Sequence, residues 1–575
     1  MTVAELLVAA LEAEGVQYVF GVPGEENEAL LFALEKSKVR FVATRHEQGA
    51  AFMADVWGRL SGKAGVCLST LGPGATNLLS GIADAYLDKA PLVAVTAQGS
   101  QARLYRESHQ ILDVMNLLDG VTKWNASIAT PASAAALVRK AFKLAQEEKP
   151  GAVHLELPEN MASQEVESAD EKPITPRPAA RPGPNAEALV AAEACLETAR
   201  KPLILAGNGA LRQGASPALR ALVEHLDLPV VSTFMGKGAL SDASPRSLYS
   251  IGLGFRDLPM AAVDEADLLL AVGYDIVEMP PERWNPQADK RIIHIDYLSA
   301  EVYRRYQPEV ELVGDVAATL AALQERIPQR QRPSATPWWL RHRQAFEADL
   351  REDRLPDDAQ WSATDQMTVP GALAELRALL PDDAIVISDV GSHKMWIARN
   401  FPTFTANSCL ISNGFATMGI ALPGAVAASL QAPEKTVVAC MGDGGALMNF
   451  QELETATRLG CHFIAIIFND NDYGLIRWKQ QQSVGASTGT SIGNPDFVQL
   501  AKAFGAIATR ADSPGKLRAA VEAAKENREG VHVIEVPVDA SVNKALVRRL
   551  EHKMRAVSPA EQDPRSDQSP QETIR

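Results

Sequence analysis

Short apolar runs rich in β-branched residues recur from one end of this chain to the other, separated by amphipathic helical patterns, and each run stops at a glycine or polar turn. Val66-Cys67-Leu68-Ser69-Thr70, Leu92-Val93-Ala94-Val95-Thr96, Leu268-Leu269-Leu270-Ala271-Val272, Thr436-Val437-Val438-Ala439-Cys440 and Phe463-Ile464-Ala465-Ile466-Ile467-Phe468 are of this kind. Runs that are apolar at every position suit strands covered on both faces, and strands separated by helices pair in parallel. The expected fold class is therefore α/β, with parallel-sheet layers. Ligands of such sheets gather beyond the carboxyl ends of the strands, so the residues after each run are where chemistry should be sought.

A chain of 575 residues exceeds what one hydrophobic core holds, and three domains are expected. Pro173, Pro176, Pro178, Pro182 and Pro184 fall in a polar stretch without hydrophobic period, read as a linker over 166–187. A stretch rich in arginine and glutamine from Pro328 to Pro337, followed by an amphipathic segment from Trp338 to Leu350, marks a second linker with a helix over 331–364. The domains so bounded are 1–165, 188–330 and 365–550, and the polar residues 551–575 are expected to form a disordered tail. The first and last domains share one layout of runs and turns, which suits a ligand held between domains, although no repeat is visible in the sequence itself. In the central domain Leu205-Ala206-Gly207-Asn208-Gly209 is a strand followed by Gly-x-Gly, and Asp296 closes a strand where a ribose could sit. The full dinucleotide fingerprint is missing, and tight turns of a structural domain explain the pattern equally well.

Composition excludes several functions. A net charge of -15 opposes a nucleic-acid partner, which needs a basic face. Met1-Thr2-Val3-Ala4-Glu5 opens an amphipathic helix rather than a signal peptide, and no apolar run is long enough to span a bilayer. Cys67, Cys195, Cys409, Cys440 and Cys461 lie far apart, giving neither a metal knuckle nor a disulfide framework. Reduced, buried thiols in a cytoplasm are expected.

Two strand ends carry acidic residues in a setting suited to a metal. Gly442-Asp443-Gly444-Gly445 follows one run, where glycine lets backbone amides approach a phosphate and Asp443 offers a hard oxygen. The next run ends in Asn469-Asp470-Asn471-Asp472. Oxygen ligands from two adjacent strand ends, completed by diphosphate oxygens and water, suit Mg2+. A further carboxylate stands far away in Arg45-His46-Glu47-Gln48-Gly49, which opens a helix after Val39 to Ala43; such a first-turn glutamate also serves simply as a partner of the helix dipole. Just downstream lies Gly72-Pro73-Gly74-Ala75-Thr76-Asn77.

Together with Phe20-Gly21-Val22-Pro23-Gly24, Ser388 to Trp396 and Ser412 to Gly419, these motifs resemble the thiamine diphosphate-dependent acetohydroxyacid/acetolactate synthase family, over almost the whole chain to about residue 545. The resemblance implies pyrimidine-binding, central and diphosphate-binding domains, and a homodimer or homotetramer with active sites at the subunit interface. It implies that Glu47 is the acid beside the far ring nitrogen of the aminopyrimidine, which drives the ring toward the imino form that activates the thiazolium carbon. By the same resemblance Asp443 and Asp470 are Mg2+ ligands, with the main-chain carbonyl of Asp472 as a third. Val390, Gly391, Ser392, His393, Gly442, Gly444 and Gly445 surround the diphosphate, and Met418 is the bulky residue that bends the cofactor, though its apolar segment alone reads as core. Pro23, Gly24, Pro73, Asn77, Ala416 and Tyr473 complete the cofactor positions; Gln110 and His109 either contact substrate or close the pocket.

Within the family, Val272 to Met279, Arg283 to Pro286, Gln307 to Asp315 and His109 to Asp113 resemble the FAD-independent catabolic branch. Thr233 to Gly238 is closer to the FAD-binding branch, so a flavin stays open without being favoured. Lys479, not Trp478, aligns with the tryptophan of the biosynthetic enzymes, and Glu26 stands where the catabolic branch often has lysine. The implied reaction is decarboxylation of pyruvate and its ligation to a second pyruvate, giving 2-acetolactate. The alternatives are a 2-oxoacid decarboxylase or carboligase with another donor or acceptor, a flavin oxidase, and a cofactor-free regulatory relative.

Overall fold

The computed structural model describes residues 1–167, 172–253, 255–329, 336–356, 358–362 and 364–557. Three six-stranded, all-parallel sheets follow one another along the chain. The first holds β1 (Tyr18–Gly21), β2 (Arg40–Ala43), β3 (Gly65–Ser69), β4 (Leu92–Gln98), β5 (Asn125–Ser127) and β6 (Ala152–Pro158), in the order β2-β1-β3-β4-β6-β5. The second holds β7 (Pro202–Ala206), β8 (Val230–Ser232), β9 (Ser247–Ser250), β10 (Leu268–Val272), β11 (Arg291–Asp296) and β12 (Val310–Val313), in the order β12-β11-β10-β7-β8-β9. The third holds β13 (Ile385–Ser388), β14 (Cys409–Ile411), β15 (Val437–Gly442), β16 (Phe463–Asn469), β17 (Ile507–Arg510) and β18 (Val531–Pro537), in the order β14-β13-β15-β16-β18-β17.

The first and third sheets thus have the same strand order, which makes the shared layout read from the sequence a topological equivalence. In it β3 corresponds to β15, so the turn at Gly72-Pro73-Gly74 occupies the place of Gly442-Asp443-Gly444. The second sheet is wound differently: outward from the adjacent pair β7 and β10, its order is that of the dinucleotide-binding fold. Expected and observed runs coincide because β3, β4, β6, β7, β10 and β16 are buried along their whole length.

The N- and C-terminal domains share one apolar core. The helix Glu47–Ser61 packs against the helix Ala421–Gln431 through Ala50, Ala54, Ala421 and Ala425, all fully buried. A Cβ on Gly424 would stand 2.8 Å from Val56 Cγ2, so glycine is needed for this approach. The linker helix Leu340–Glu352 puts Phe346 into a second core with central and C-terminal residues, and Arg399 is buried there against Asp257 (2.9 Å), Asp349 (2.5 Å) and Asp353 (3.4 Å).

At the C-terminal end the helix Val542–Val557 carries the chain past residue 550, where the tail was expected to begin. Leu546 and Leu550 are buried on the C-terminal core, so apolar spacing prolongs the helix into a polar stretch. The rest of the expected tail, 558–575, and parts of both expected linkers lie outside the described residues.

Candidate active site

Parallel strands in register bring distant carboxylates to one sheet edge. Gly442 at the end of β15 pairs with Phe468 of β16, so Asp443 and Asp470 emerge side by side. A cleft of about 110 Å³ opens there, and every residue lining it belongs to the C-terminal domain. Of the positions read from the sequence, Val390, Gly391, Ser392, His393, Met418, Gly442, Asp443, Gly444, Gly445, Asp470, Asp472 and Tyr473 line this one cleft. Ala416 lies two residues before Met418 with φ at 59°.

The cleft's chemistry fits a diphosphate and a divalent cation. Side chains are excluded from the cradle: a Cβ on Gly444 would meet Tyr473 Cε1 at 2.7 Å, and one on Gly445 would meet Asp389 Oδ1 at 2.9 Å. His393, whose pKa burial pushes down to about 3, is buried with Nε2 left without a hydrogen-bond partner. Asp443 is oriented by the Gly444 amide (2.8 Å), the Asn471 amide (2.7 Å) and Asn494 Nδ2 (2.7 Å). Burial, then the charge of Asp443, pushes Asp470 up to about 7, and burial raises Asp443 as well. Two carboxylates that oppose each other's ionisation at one edge are relieved by a cation. Among the described residues no cluster of three or more His, Cys, Asp and Glu side chains forms a metal site by itself, in keeping with a set completed by carbonyl, diphosphate and water.

A second group forms at the carboxyl ends of β2, β1 and β3 in the N-terminal domain. Glu47 is the first residue of its helix, is 8% exposed, and accepts from Asn77 Nδ2 at 3.0 Å. The buried acid thus has one polar partner, Asn77. A Cβ on Gly74 would stand 3.2 Å from Glu47 Oε1, so the glycine turn presses against the acid. Glu26 accepts from Thr70 Oγ1 at 2.6 Å, next to Gly24, whose amide donates to Asn27. Pro23 and Pro73 are exposed at the rim. Gln110 and His109 lie on an exposed loop; the Gln110 carbonyl is 2.6 Å from where a Gly72 Cβ would be, and the His109 carbonyl accepts from Arg103 (3.0 Å). Lys479 is exposed, while Trp478 is buried edge-on against Phe255 at 5.6 Å.

Within one chain these two groups do not meet. The helix of Glu47 starts on its own C-terminal domain, where buried Glu452 accepts the amides of Arg45 (3.1 Å) and His46 (2.9 Å), yet Glu47 is no part of the cleft lining. Sequence reasoning passed over the residues that anchor both groups: Glu452, Asn494, Asp84, Asp88 and Asp389. Only Asp389 carried a signal, a polar residue at the carboxyl end of a strand.

The central sheet has a dinucleotide strand order, but its crevice is filled from within. Where β7 and β10 diverge, a Cβ on Gly207 would meet the Gly273 carbonyl at 2.5 Å. The carboxylate of Glu278 is buried there and accepts from the amides of Asn208 (3.0 Å) and Asp275 (3.1 Å) and from Thr233 Oγ1. These amide donors are the kind a dinucleotide diphosphate takes at such a switch point. Asp296, the candidate ribose partner, is ion-paired with Lys149 of the N-terminal domain at 3.3 Å. Glu278 thus takes up, from within the chain, the amide donors of this crevice.

Fold and cleft together define an enzyme that holds a diphosphate cofactor between α/β domains. Three family models match in chain order: the N-terminal TPP binding domain of thiamine pyrophosphate enzymes at residues 1–117, their central domain at 189–323, and their C-terminal TPP binding domain at 389–536. The chain is 35% identical over 548 residues to an acetolactate synthase of Bacillus subtilis (strain 168), covering 94% of each chain. It is 34% identical to the catabolic acetolactate synthase of Raoultella terrigena, covering 95% of this chain and 97% of that one. It is also 34% identical to the large subunit of acetolactate synthase isozyme 2 of Escherichia coli (strain K12), covering 94% and 96%. The chain belongs to the acetolactate synthase family of thiamine pyrophosphate enzymes. Near-equal identities do not separate the branches, so the branch must be argued from residues.

Proposed function

We propose that this protein is an acetolactate synthase, which decarboxylates pyruvate and joins the two-carbon unit to a second pyruvate, giving 2-acetolactate. The observation that carries the reading is the pair of complementary groups on equivalent sheets: an acid with its amide partner, Glu47 and Asn77, and a glycine cradle with two carboxylates, Asp443 and Asp470. Thiamine diphosphate, when bound, supplies the nucleophilic carbon and the electron sink for decarboxylation. Asp443, Asp470 and the carbonyl of Asp472 would hold Mg2+, and the cradle from Val390 to His393, with Gly444 and Gly445, would receive the diphosphate. Met418 would support the cofactor, and Glu47 would donate from its carboxyl group to the pyrimidine ring, with Asn77 holding the acid in place. His109 and Gln110, on a loop beside Gly72, close the site over the 2-oxoacid and exclude water.

A cleft lined from one domain, with Glu47 elsewhere, supports a homodimer or homotetramer in which the N-terminal domain of one subunit completes the cleft of another. The buried Glu278 supports an enzyme that works without flavin, as in the catabolic branch. Among the described residues no helix is long and apolar enough to cross a membrane, and all five cysteines are free and buried, which suits the cytoplasm. The test is product analysis with purified protein, pyruvate, Mg2+ and thiamine diphosphate, without FAD. 2-Acetolactate as the main product supports the reading; acetaldehyde in its place would make the enzyme a decarboxylase, and no turnover of pyruvate would move the search to another 2-oxoacid.

A further inference from the structure

Two buried carboxylates from different domains hold the backbone on either side of Met418. Asp84, on the N-terminal-domain helix Pro73–Leu87, accepts the Thr417 amide (3.3 Å) and the Ser412 hydroxyl (2.7 Å) on Oδ1, while its Oδ2 takes Arg59 (3.0 Å). Asp389, just beyond β13, accepts the Gly419 amide on both oxygens (2.9 and 3.0 Å) and the Ala421 amide at 3.3 Å. Both side chains are fully buried. Next to Asp84, Asp88 takes the amides of Asn413 (3.2 Å) and Gly414 (2.5 Å). Asn413 Nδ2 in turn donates to the Glu278 carbonyl of the central domain at 2.7 Å. All three domains therefore grip the segment Ser412–Gly419.

The segment needs that grip. Ala416 has φ at 59°, a left-handed conformation that a non-glycine residue rarely adopts. Such a conformation persists only where the surroundings over-determine it. The backbone at Met418 sets the point from which its thioether reaches into the cleft, so a shift of that backbone moves the side chain with it. A buried carboxylate is tolerated when it is paired or hydrogen-bonded, and here its partners are the amides flanking one residue.

We infer that Asp84 and Asp389 are positioning residues for Met418, setting its height beneath the cofactor. The inference rests on the reading of Met418 as the residue under the cofactor. Asp389 does more than hold one side. Its Oδ1 also accepts the Val390 amide at 2.6 Å and lies 2.9 Å from where a Gly445 Cβ would be. One carboxylate thus references the pedestal at Met418 to both walls of the diphosphate cradle. Asp84 adds a dependence on the N-terminal domain of the same chain.

Asp389→Asn keeps the shape but places an NH2 group against amide donors, since both oxygens of Asp389 accept main-chain N–H. Asp84→Leu removes both acceptors, and Asp84→Asn restores one for Ser412 and Thr417. The measurement is deuterium exchange at the thiazolium carbon of bound thiamine diphosphate, alongside cofactor Kd from quenching of tryptophan fluorescence. Asp389→Asn and Asp84→Leu should each slow exchange by about tenfold or more; for Asp84→Leu, which leaves the cradle contacts of Asp389 in place, Kd should change by less than about threefold, and Asp84→Asn should recover most of the rate. General damage to the fold would instead raise the Kd of Asp84→Leu in step with its loss of exchange, and that result overturns the inference. Met418→Ala is the reference. If it leaves exchange unchanged, the reading of Met418 is wrong; if it slows exchange while the two aspartate variants do not, the positioning inference is wrong. Should either variant not fold, Asp84→Ala, which withdraws the acceptors without added bulk, is judged by the same outcomes.

Discussion

Glu452 of the C-terminal domain accepts the main-chain amide of His46 at 2.9 Å, and a Cβ on Gly49 would lie 2.7 Å from the same oxygen. The first turn of the Glu47 helix is therefore seated on the C-terminal domain of its own chain while the acid itself points to Asn77 and Gly74. A short, buried contact of this kind fixes the direction of Glu47 before any cofactor or second subunit arrives.

Glu47→Gln preserves the contact with Asn77 but withdraws the carboxyl proton. Acetolactate turnover should fall by about 10²–10⁴-fold, the usual contribution of general acid–base catalysis. Cofactor affinity should change little, because the diphosphate cradle lies on the other domain. Steady-state kinetics with a parallel binding titration checks both halves; a Glu47→Gln enzyme of ordinary turnover would remove the acid from the mechanism.

Gly445→Ala tests the cradle. The added Cβ would stand 2.9 Å from Asp389 Oδ1, an atom already committed to the Val390 and Gly419 amides and unable to retreat. Overpacking costs about 1–3 kcal/mol, so thiamine diphosphate Kd should rise about 5- to 150-fold, read by calorimetric titration.

Arg399→Ala should be costly to stability. The guanidinium is fully buried among Asp257, Asp349 and Asp353, which join the central domain, the linker helix and the C-terminal domain. Its loss leaves the buried Asp257 without its charge partner, a change worth about 3–5 kcal/mol, while Asp349 and Asp353 keep Arg549 and Asp349 also keeps Lys553. Urea denaturation should show the midpoint lowered, and an unchanged midpoint would mean the cluster relaxes into solvent.

Glu278 gives a pH dependence of stability. Burial, partly offset by Thr233, raises its carboxyl from 4.5 to about 7. The folded state therefore binds more protons than the unfolded state across that window. This contribution to stability is complete below pH 4.5 and is lost as pH rises through about 7. Gln can satisfy the Asn208 and Asp275 amides with its carbonyl and Thr233 Oγ1 with its NH2 group. Glu278→Gln should flatten the slope of melting temperature against pH between about 5 and about 7 and melt higher than the parent at about pH 8. Parallel curves for the two proteins would exclude Glu278 as the source.

Much of the fold was legible because it is written locally. The runs that became β3, β10, β15 and β16 are apolar at nearly every position, and each stops at glycine or a polar residue. Glu47, Asp443 and Asp470 were singled out because they stand in motifs, close to glycine turns, that carry the family resemblance. Strand order was not, since crossovers leave no local pattern; the equivalence of β3 with β15 and the dinucleotide winding of the second sheet emerged only in three dimensions. Asp84 and Glu452 were invisible for a different reason. Their partners are backbone amides, which any residue supplies, and in the case of Asp84 and Thr417 they lie 333 positions apart. The plug at Glu278 was hidden in the same way, inside a turn that resembled an unfinished dinucleotide motif.

The most direct measurement is complementation between two inactive subunits. Glu47→Gln and Asp443→Ala chains, carrying different tags, are co-expressed, and the mixed dimer is isolated and assayed for acetolactate formation. Each parent dimer should be nearly inactive, while the mixed dimer holds one intact site and should recover about half the wild-type turnover, because a two-fold interface pairs each acid with the other chain's cradle. A mixed dimer as inactive as its parents would contradict a shared site built from Glu47 of one subunit and Asp443 of the other.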